Sequence, residues 1–583
     1  MTHLVNKNMK KNFSLLILLL VCLVGQSQKT TGSVVDGYYP LLRNHFQEAN
    51  AYKTVGFVEK YWRIAGNTGF NASIHYVENI LQSAGFVQEV SGESDGPLTY
   101  RIEKRKMRRP TWEPVSSSLT IVGENEPLLQ SATNRNMIAI NSASTPKDGV
   151  IAEIVYVGKG TKADFEGKDL TGKIVFGESS AGALYNNALK NGAIGVLAYS
   201  IPAYTQPQKN IHSIQFQNIP YLDSARQKWG ILLSFDAKEK LKAALEKGTV
   251  KVLVKVTSKI YIAEELTLVA NARGVSFPDE RFVFSAHVQE PGANDNATGV
   301  GTLAEMARVT AKLIKEKKFI PARTITFLWG DEIVSTGRYI RDDSVRAKGI
   351  HWGLSLDMVG EDITKTGGSF LIEKMPDPSA IWTRGNDKHT EWGGRPLKES
   401  DMFPHYFNDF LLNRCRQQGQ ENHWVINANP FEGGSDHTPF LDAKIPGLLM
   451  WHFTDQFYHT DGDRLDMVSP SEMKNIGVSA LAAAFTLSAA NEKTTLLLID
   501  EITQNAIDRL QTEYLLSKEA IQNGAKPEEQ EHIISVWANW YKAAISKMTD
   551  INITGLTENI QKKIISAREI IDKKIAESTM NGH

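Results

Sequence analysis

The stretch FVFSAHVQEPGANDNATGVGTLAEMARVTAKL, residues 282–313, joins a buried strand to a helix through a short polar loop. The apolar run that ends before His287 lacks the alternation of a half-exposed strand, so it predicts a strand covered on both faces. After the loop, apolar residues recur at helical spacing: Val300, Leu303, Met306, Ala307 and Leu313. This order predicts one strand–helix unit of a parallel sheet.

Further apolar runs predict strands of the same sheet, at Leu266–Ala272, Thr324–Trp329, Gly353–Asp357 and Gly447–Trp451. Strands that alternate with helices indicate an α/β fold, with a mostly parallel central sheet flanked by helices. We expect this catalytic domain to span residues 259–495. Residues 28–116 would form its N-terminal part, with helices between 41 and 85 and an irregular stretch from 92 to 114.

Two other regions differ in pattern. Residues 117–258 contain short strands and tight turns, which predicts a β-rich module inserted into the catalytic domain. Residues 496–583 are rich in helix-forming and charged residues, which predicts two or three helices with breaks near Gly524–Pro527 and at Gly555.

Potential metal ligands follow several of these predicted strands. They are His287, Asp295, Glu332, Asp357 and His459. In an open α/β sheet, ligands gather at the carboxyl ends of the strands, so we expect these side chains to lie together. Imidazole and carboxylate ligands without a thiolate are typical of hydrolytic zinc, and one carboxylate can bridge two ions.

Several motifs resemble one known family. HVQEPGANDNATG (287–299), FLWGDE (327–332), LDM (356–358), GGSDHTPFLDAKIPGL (433–448) and YHT (458–460) are similar to the zinc aminopeptidase and glutamate-carboxypeptidase family. RIAGNTGF (63–70) resembles that family's N-terminal region. VYVGKGTKADFEGKDLTGKIVFGE (155–178) and NGAIGVLAY (191–199) resemble a protease-associated domain.

The resemblance implies a site with two Zn²⁺ ions. His287 and Asp357 would hold one ion, Glu332 and His459 the other, and Asp295 would bridge both. Asp331 corresponds to the family's general base, and Tyr458 would donate a hydrogen bond to the developing oxyanion, with simple packing as its alternative role. The resemblance makes Asp436 and His437 supporting residues near the site.

The chain departs from the family pattern at this site. Asp331 replaces the usual glutamate base, and the segment after Trp329 is one residue shorter than the common pattern. Gln289 stands where the family has a carboxylate near its first histidine. Because a metal-bound histidine is normally oriented by an acceptor, Gln289 or the neighbouring Glu290 would have to supply one.

The N-terminus predicts export. Lys10 and Lys11 precede an apolar run, and small residues follow at Gly25 and Ser27, as in a signal peptide that is cleaved after residue 27. An uncleaved anchor and a lipoprotein site are the alternatives. Cleavage would leave Cys415 as the single cysteine, so no internal disulfide is expected, and the protein would be secreted or periplasmic.

The function that follows is a zinc exopeptidase acting on peptides, with an aminopeptidase favoured over a carboxypeptidase. Glu290, Glu361 and Asp362 could pair with a substrate ammonium, and Arg338, Arg384 and Arg395 with a terminal carboxylate. Two other hypotheses remain: a binding protein that has lost turnover, and a one-zinc acyl-transfer or cyclising enzyme. A net charge of −1 argues against a nucleic-acid partner or a membrane-binding face, and the C-terminal helices could form a homodimer contact.

Overall fold

A computed structural model describes residues 37–89, 96–223 and 226–580. The predicted signal peptide, residues 1–27, lies outside the described residues. No helix in the described part of the chain combines the length and the hydropathy that crossing a bilayer requires.

Sixteen strands are present among the described residues. In chain order they are β1 Val87–Gln88, β2 Leu98–Lys106, β3 Thr111–Ile121, β4 Leu129–Gln130, β5 Val150–Tyr156, β6 Ile174–Gly177, β7 Gly195–Ala198, β8 Trp229–Leu232, β9 Lys251–Tyr261, β10 Glu264–Ala272, β11 Phe277–His287, β12 Arg323–Gly330, β13 Ile350–Leu356, β14 Ser369–Glu373, β15 Asn427–Asn429 and β16 Gly447–Phe453.

The described α-helices follow the same order. They are α1 Tyr38–His45, α2 Glu48–Val58, α3 Thr68–Ala84, α4 Lys162–Phe165, α5 Ala181–Lys190, α6 Phe235–Glu246, α7 Ala297–Lys315, α8 Val334–Arg341, α9 Ser344–Lys348, α10 Ile363–Thr366, α11 Phe407–Asn422, α12 Thr438–Asp442, α13 Pro470–Ala489, α14 Glu492–Gln522, α15 Pro527–Ser546 and α16 Glu558–Met580.

The larger sheet has the strand order β1-β2-β10-β12-β11-β13-β16-β14-β15. Its centre, β12-β11-β13-β16, is parallel, whereas β10 and β14 join that centre in antiparallel pairs. The predicted α/β class with flanking helices is therefore confirmed. The parallel centre matters most for function, since it brings four strand ends to the same edge.

Strand β2 corrects the expectation of an irregular stretch over residues 92–114. It pairs with β10 in antiparallel register, from Lys106 opposite Glu264 to Leu98 opposite Ala272. Its charged residues neutralise one another, because Arg101 and Arg105 both form ion pairs with Glu103. These paired charges gave the strand a polar composition that resembled a loop.

Helices pack against the larger sheet, and α7 is buried along most of its length. Gly301 of α7 permits a close approach to α2, because a Cβ at that position would lie 2.6 Å from the carbonyl oxygen of Ala51. The predicted C-terminal helices are also present, and the chain breaks between α14, α15 and α16 where the glycines and proline indicated. Helix α7 begins two residues after Asp295, so its packing helps to fix one of the predicted ligands.

A second sheet has the order β4-β3-β9-β5-β6-β7-β8 and its own apolar core. Strands β3 and β9 pair from Thr111 opposite Tyr261 to Ile121 opposite Val252, so this sheet extends a few residues beyond the bounds 117–258. Strands β5 to β8 are parallel to one another. The assignment of this module as a protease-associated domain stays a prediction.

Candidate metal site

Four strand ends position the predicted ligands. Strand β11 ends at His287, and its register with β12 sets His287 opposite Gly330, directly before Asp331 and Glu332. Strand β13 ends one residue before Asp357, and the loop after β16 carries His459. The structure therefore brings the predicted ligands to one edge of the larger sheet.

His287 faces three carboxylates. Its Nε2 lies 3.1 Å from Oδ1 of Asp357, 3.5 Å from Oδ1 of Asp295 and 3.9 Å from Oε1 of Glu332. The imidazole is almost completely buried, at 1% exposure. Burial alone would lower its pKa, but Asp357 and Glu332 outweigh that effect and hold the pKa well above the usual value of 6.5.

His459 faces two carboxylates, one of which is Asp295. Its Nε2 lies 3.0 Å from Oδ2 of Asp295 and 3.3 Å from Oε2 of Glu290. Asp295 thus directs one oxygen toward each imidazole. This is the geometry that a bridging carboxylate between two cations requires.

The ligands fall into two groups, in each of which one donor atom per residue lies within 4.8 Å of the others. His287, Glu332 and Asp357 form the first group, and Glu290, Asp295 and His459 the second. The resemblance implied that Glu332 pairs with His459, whereas in the structure Glu332 lies with His287.

The physical reason for this difference is Gln289. Its Oε1 accepts a hydrogen bond from the backbone N–H of Glu332 at 2.8 Å, and its Nε2 donates to Oε2 of Glu332 at 3.2 Å. Gln289 therefore holds Glu332 rather than orienting His287. Within the described residues, Nδ1 of His287 has no hydrogen-bond partner.

The donor atoms at this edge fit zinc. Both ring nitrogens of His287, Oδ1 of Asp357 and Oε2 of Glu290 are buried without a hydrogen-bond partner in the described part of the chain. Such orphaned polar atoms are costly unless something else satisfies them. Nitrogen and carboxylate donors in this number suit a catalytic zinc site.

Asp331 lies beside the ligands and outside both groups. The backbone N–H of Asp331 donates a hydrogen bond to Ser335 Oγ at 2.8 Å, which fixes the turn after β12. Burial, together with the charge of nearby Asp436, raises the pKa of Asp331 to about 7. A carboxylate that titrates near neutral pH is well suited to act as a general base.

The segment from Ser435 to His437 contacts the ligands and the chain next to them. Ser435 Oγ donates to Oδ2 of Asp357 at 2.8 Å, and Oδ1 of Asp436 accepts from the backbone N–H of Ile333 at 2.6 Å. His437 forms a buried pair with Glu373, at 2.8 Å. Asp436 thus fixes the chain after Glu332, and neither Asp436 nor His437 is in a ligand group of the described residues.

Tyr458 directly precedes His459 and is partly buried. Its ring stacks on His459 at a centroid distance of 3.8 Å and packs edge-on against Phe453. Its hydroxyl accepts a hydrogen bond from Nε1 of Trp392 at 3.3 Å, so its own proton remains available. Burial and the charges of nearby carboxylates raise the pKa of Tyr458 well above 10, which keeps the phenol protonated.

The loop between β7 and β8 of the second sheet contributes a residue that sequence analysis missed. Phe216 packs on the ring of His459 at 4.4 Å between centroids, and its backbone N–H donates to the carbonyl of His459 at 2.9 Å. A backbone bridge between Gln215 and Thr460 extends this contact. Nothing in the local sequence signals it, since the two segments are far apart in the chain.

Asp463 is a second residue that was missed. Its Oδ1 accepts from the backbone N–H of Asn294 at 2.8 Å, and its Oδ2 from that of Asp295 at 3.0 Å. It therefore ties the His459 loop to the loop that carries the bridging carboxylate. An acidic residue four positions after His459 was the available signal.

Comparisons with known proteins bear on the same region. Residues 267–484 match the family described as Peptidase family M28. The chain is 24% identical over 361 residues to aminopeptidase YwaD of Bacillus subtilis, covering 60% of this chain and 69% of that protein. It is 24% identical over 255 residues to a probable zinc metalloprotease of Leptosphaeria maculans, covering 38% of this chain. The chain spans only 57% of the length of that relative.

A solved structure shows the shared fold. The peptidase M28 precursor from Shewanella amazonensis superimposes with a TM-score of 0.54 at 16% identity, covering 78% of this chain and 96% of that one. Residues 267–484 include all the predicted metal ligands. Residues 267–484 therefore resemble a peptidase domain of family M28, in agreement with the motifs.

Proposed function

We propose that this protein is an exported two-zinc aminopeptidase that hydrolyses the N-terminal bond of peptides. The observation that carries the proposal is Asp295, whose two oxygens face His287 and His459 at 3.5 Å and 3.0 Å. A carboxylate shared by two imidazole sites is the arrangement that two-metal hydrolases use. The relatives named above, an aminopeptidase and a probable zinc metalloprotease, support the same activity.

The residues around the site have separate tasks in this reaction. Zinc bound there would lower the pKa of water and polarise the substrate carbonyl. Asp331 would take the proton from the attacking water and pass it to the departing amine, which its pKa of about 7 allows. The protonated hydroxyl of Tyr458 would donate to the oxygen that becomes negative in the transition state.

The partners of the candidate arginines argue against a carboxypeptidase. Recognition of a terminal carboxylate needs a free arginine. Arg338 is already paired with Glu265, and Arg384 contacts Glu513 of α14 and donates to Gln530 of α15 at 2.7 Å. Two of the three candidate arginines are therefore engaged in structural ion pairs.

Export forms part of the proposal and rests on residues 10–27 alone. The charged start and the short apolar run favour a cleaved signal over a membrane span, which needs about 20 apolar residues. A secreted or periplasmic peptidase would meet peptides outside the cytoplasm.

The test combines metal content with hydrolysis. Purified residues 28–583 should bind two zinc ions per chain and cleave dipeptide amides with a free amine, but not their N-acetylated forms. A chelator should abolish cleavage and zinc should restore it. Zinc binding without cleavage of any peptide would contradict the enzyme and favour the binding-protein hypothesis. A single zinc would favour the acyl-transfer alternative.

A further inference from the structure

We propose that Glu290 is a zinc ligand of the His459 group, in the place where the family resemblance puts Glu332. The inference rests on the proposed two-metal function and adds a ligand to it. Each half of the site would then contain one imidazole and two carboxylates, with Asp295 counted in the second half. The His459 half would then have three protein ligands, a number that is typical of catalytic zinc with an open fourth position.

The first support is the position of the Glu290 carboxylate. Oε2 lies 3.3 Å from Nε2 of His459, and Oε2 has no hydrogen-bond partner among the described residues. The Glu290 carboxylate therefore lies within reach of both His459 and Asp295, so that one cation could contact all three side chains.

The second support is the backbone that delivers Glu290. Its φ is +82°, a left-handed conformation that costs a non-glycine residue energy unless the surroundings enforce it. Arg63 enforces it, because its backbone carbonyl accepts from the N–H of Glu290 at 2.8 Å. The buried guanidinium of Arg63 also donates to the carbonyls of Val288 at 2.7 Å and Gly292 at 2.8 Å, on either side.

The third support is that Glu332 lies with His287 and not with His459. Gln289 bonds both to the backbone and to the side chain of Glu332, and these bonds keep that carboxylate with His287. Gln289, which stands in place of the family's carboxylate, and Glu290, which lies near His459, thus belong to one rearrangement of the ligands. Without Glu290, a zinc ion at His459 would have only His459 and Asp295 as protein ligands.

The experiment measures zinc binding directly. Wild-type protein, Glu290→Gln and the control Glu391→Gln are stripped of metal, and zinc is titrated back in competition with a chromophoric chelator. Glu391 is an exposed residue whose side chain contacts Thr454. We expect two sites in the wild type and in the control. Glu290→Gln should keep one site and bind the second ion at least about tenfold more weakly, the effect of losing a residue that supports a metal.

Circular dichroism and Tm of the metal-free forms show whether Glu290→Gln folds. If the folded variant binds both ions with wild-type affinity, the inference is wrong, and a higher KM in that variant would assign Glu290 to the substrate ammonium. If the wild type itself fails to bind two ions, the proposed two-zinc function is wrong instead.

Discussion

The two sheets of this protein both present the carboxyl ends of parallel strands, yet among the described residues only the larger sheet gathers histidine and carboxylate groups that could hold a metal. In the second sheet, Glu178 follows β6 directly and receives hydrogen bonds from Tyr156 Oη at 2.5 Å and Lys242 Nζ at 2.9 Å. In the larger sheet, no lysine or arginine of the described residues pairs with Asp295 or Asp357, and histidines face them instead.

The difference appears in the pKa values. Burial raises the pKa of Glu178, but its hydrogen bonds from Tyr156 and Lys242 outweigh burial, so the pKa is lowered. The pKa of Asp295 is raised to about 6, because burial and the charge of Glu290 dominate there. A carboxylate at a strand end therefore indicates a functional site when its own domain leaves its charge without a lysine or arginine partner.

The largest effect is expected from the residue shared by both halves. Asp295→Asn should lower zinc content and reduce kcat/KM about a thousandfold or more, since two metals lose a common ligand worth several kcal/mol. Metal analysis and a dipeptide amide assay provide the measurement. Glu178→Gln is the matched control and should keep both ions. Two tightly bound ions in Asp295→Asn would contradict the bridging role.

Substitution of Asp331 tests the chemical step separately from metal binding. Asp331→Asn should reduce kcat by about 100- to 10,000-fold through loss of the general base, while zinc content remains that of the wild type. Asp331→Glu restores a carboxylate and should recover most of the activity. An Asp331→Asn variant with normal kcat would place the base elsewhere.

The contact between the two sheets predicts a smaller effect. Phe216→Ala removes an aromatic contact with His459 of the kind worth about 0.5–1.5 kcal/mol, so one zinc should bind about two- to tenfold more weakly. Phe216→Tyr keeps the ring and should retain wild-type affinity. Equal zinc affinities in all three proteins would show that the second sheet does not position the ligand.

The smallest effect belongs to Glu178 and concerns stability alone. Its pKa is lower in the folded than in the unfolded state, so its ionised form stabilises the fold above the unfolded pKa of about 4.3. This stabilisation is lost as the pH falls through the lower, folded pKa. Glu178→Gln should cost about 1 kcal/mol at pH 7 and progressively less below pH 4, as urea unfolding would measure. A pH-independent difference would exclude this ion pair as the cause.

The sequence predicted those parts of the molecule whose signals are local. His287 and Asp357 follow apolar runs, and such runs predict buried strands because side chains on both faces must avoid water. Strand β2 was missed, since the charges of Arg101, Glu103 and Arg105 are neutralised by one another rather than exposed as in a loop.

The details of the site were less predictable because they depend on contacts distant in the chain. The grouping of Glu332 with His287 follows from hydrogen bonds to Gln289, which lies 43 positions away. The packing of Phe216 on His459 joins the loop between β7 and β8 to the loop after β16. Spacing in a sequence identifies which residues reach an edge of a sheet, whereas their pairing there depends on tertiary contacts.

The most direct test of the two-metal site is X-ray diffraction from zinc-loaded crystals at wavelengths above and below the zinc absorption edge. We expect two anomalous peaks about 3.5–4 Å apart, with Asp295 between them. One peak should lie beside His287 and Asp357, and the other beside His459 and Glu290. A single peak, or two peaks that do not share Asp295, would contradict the account.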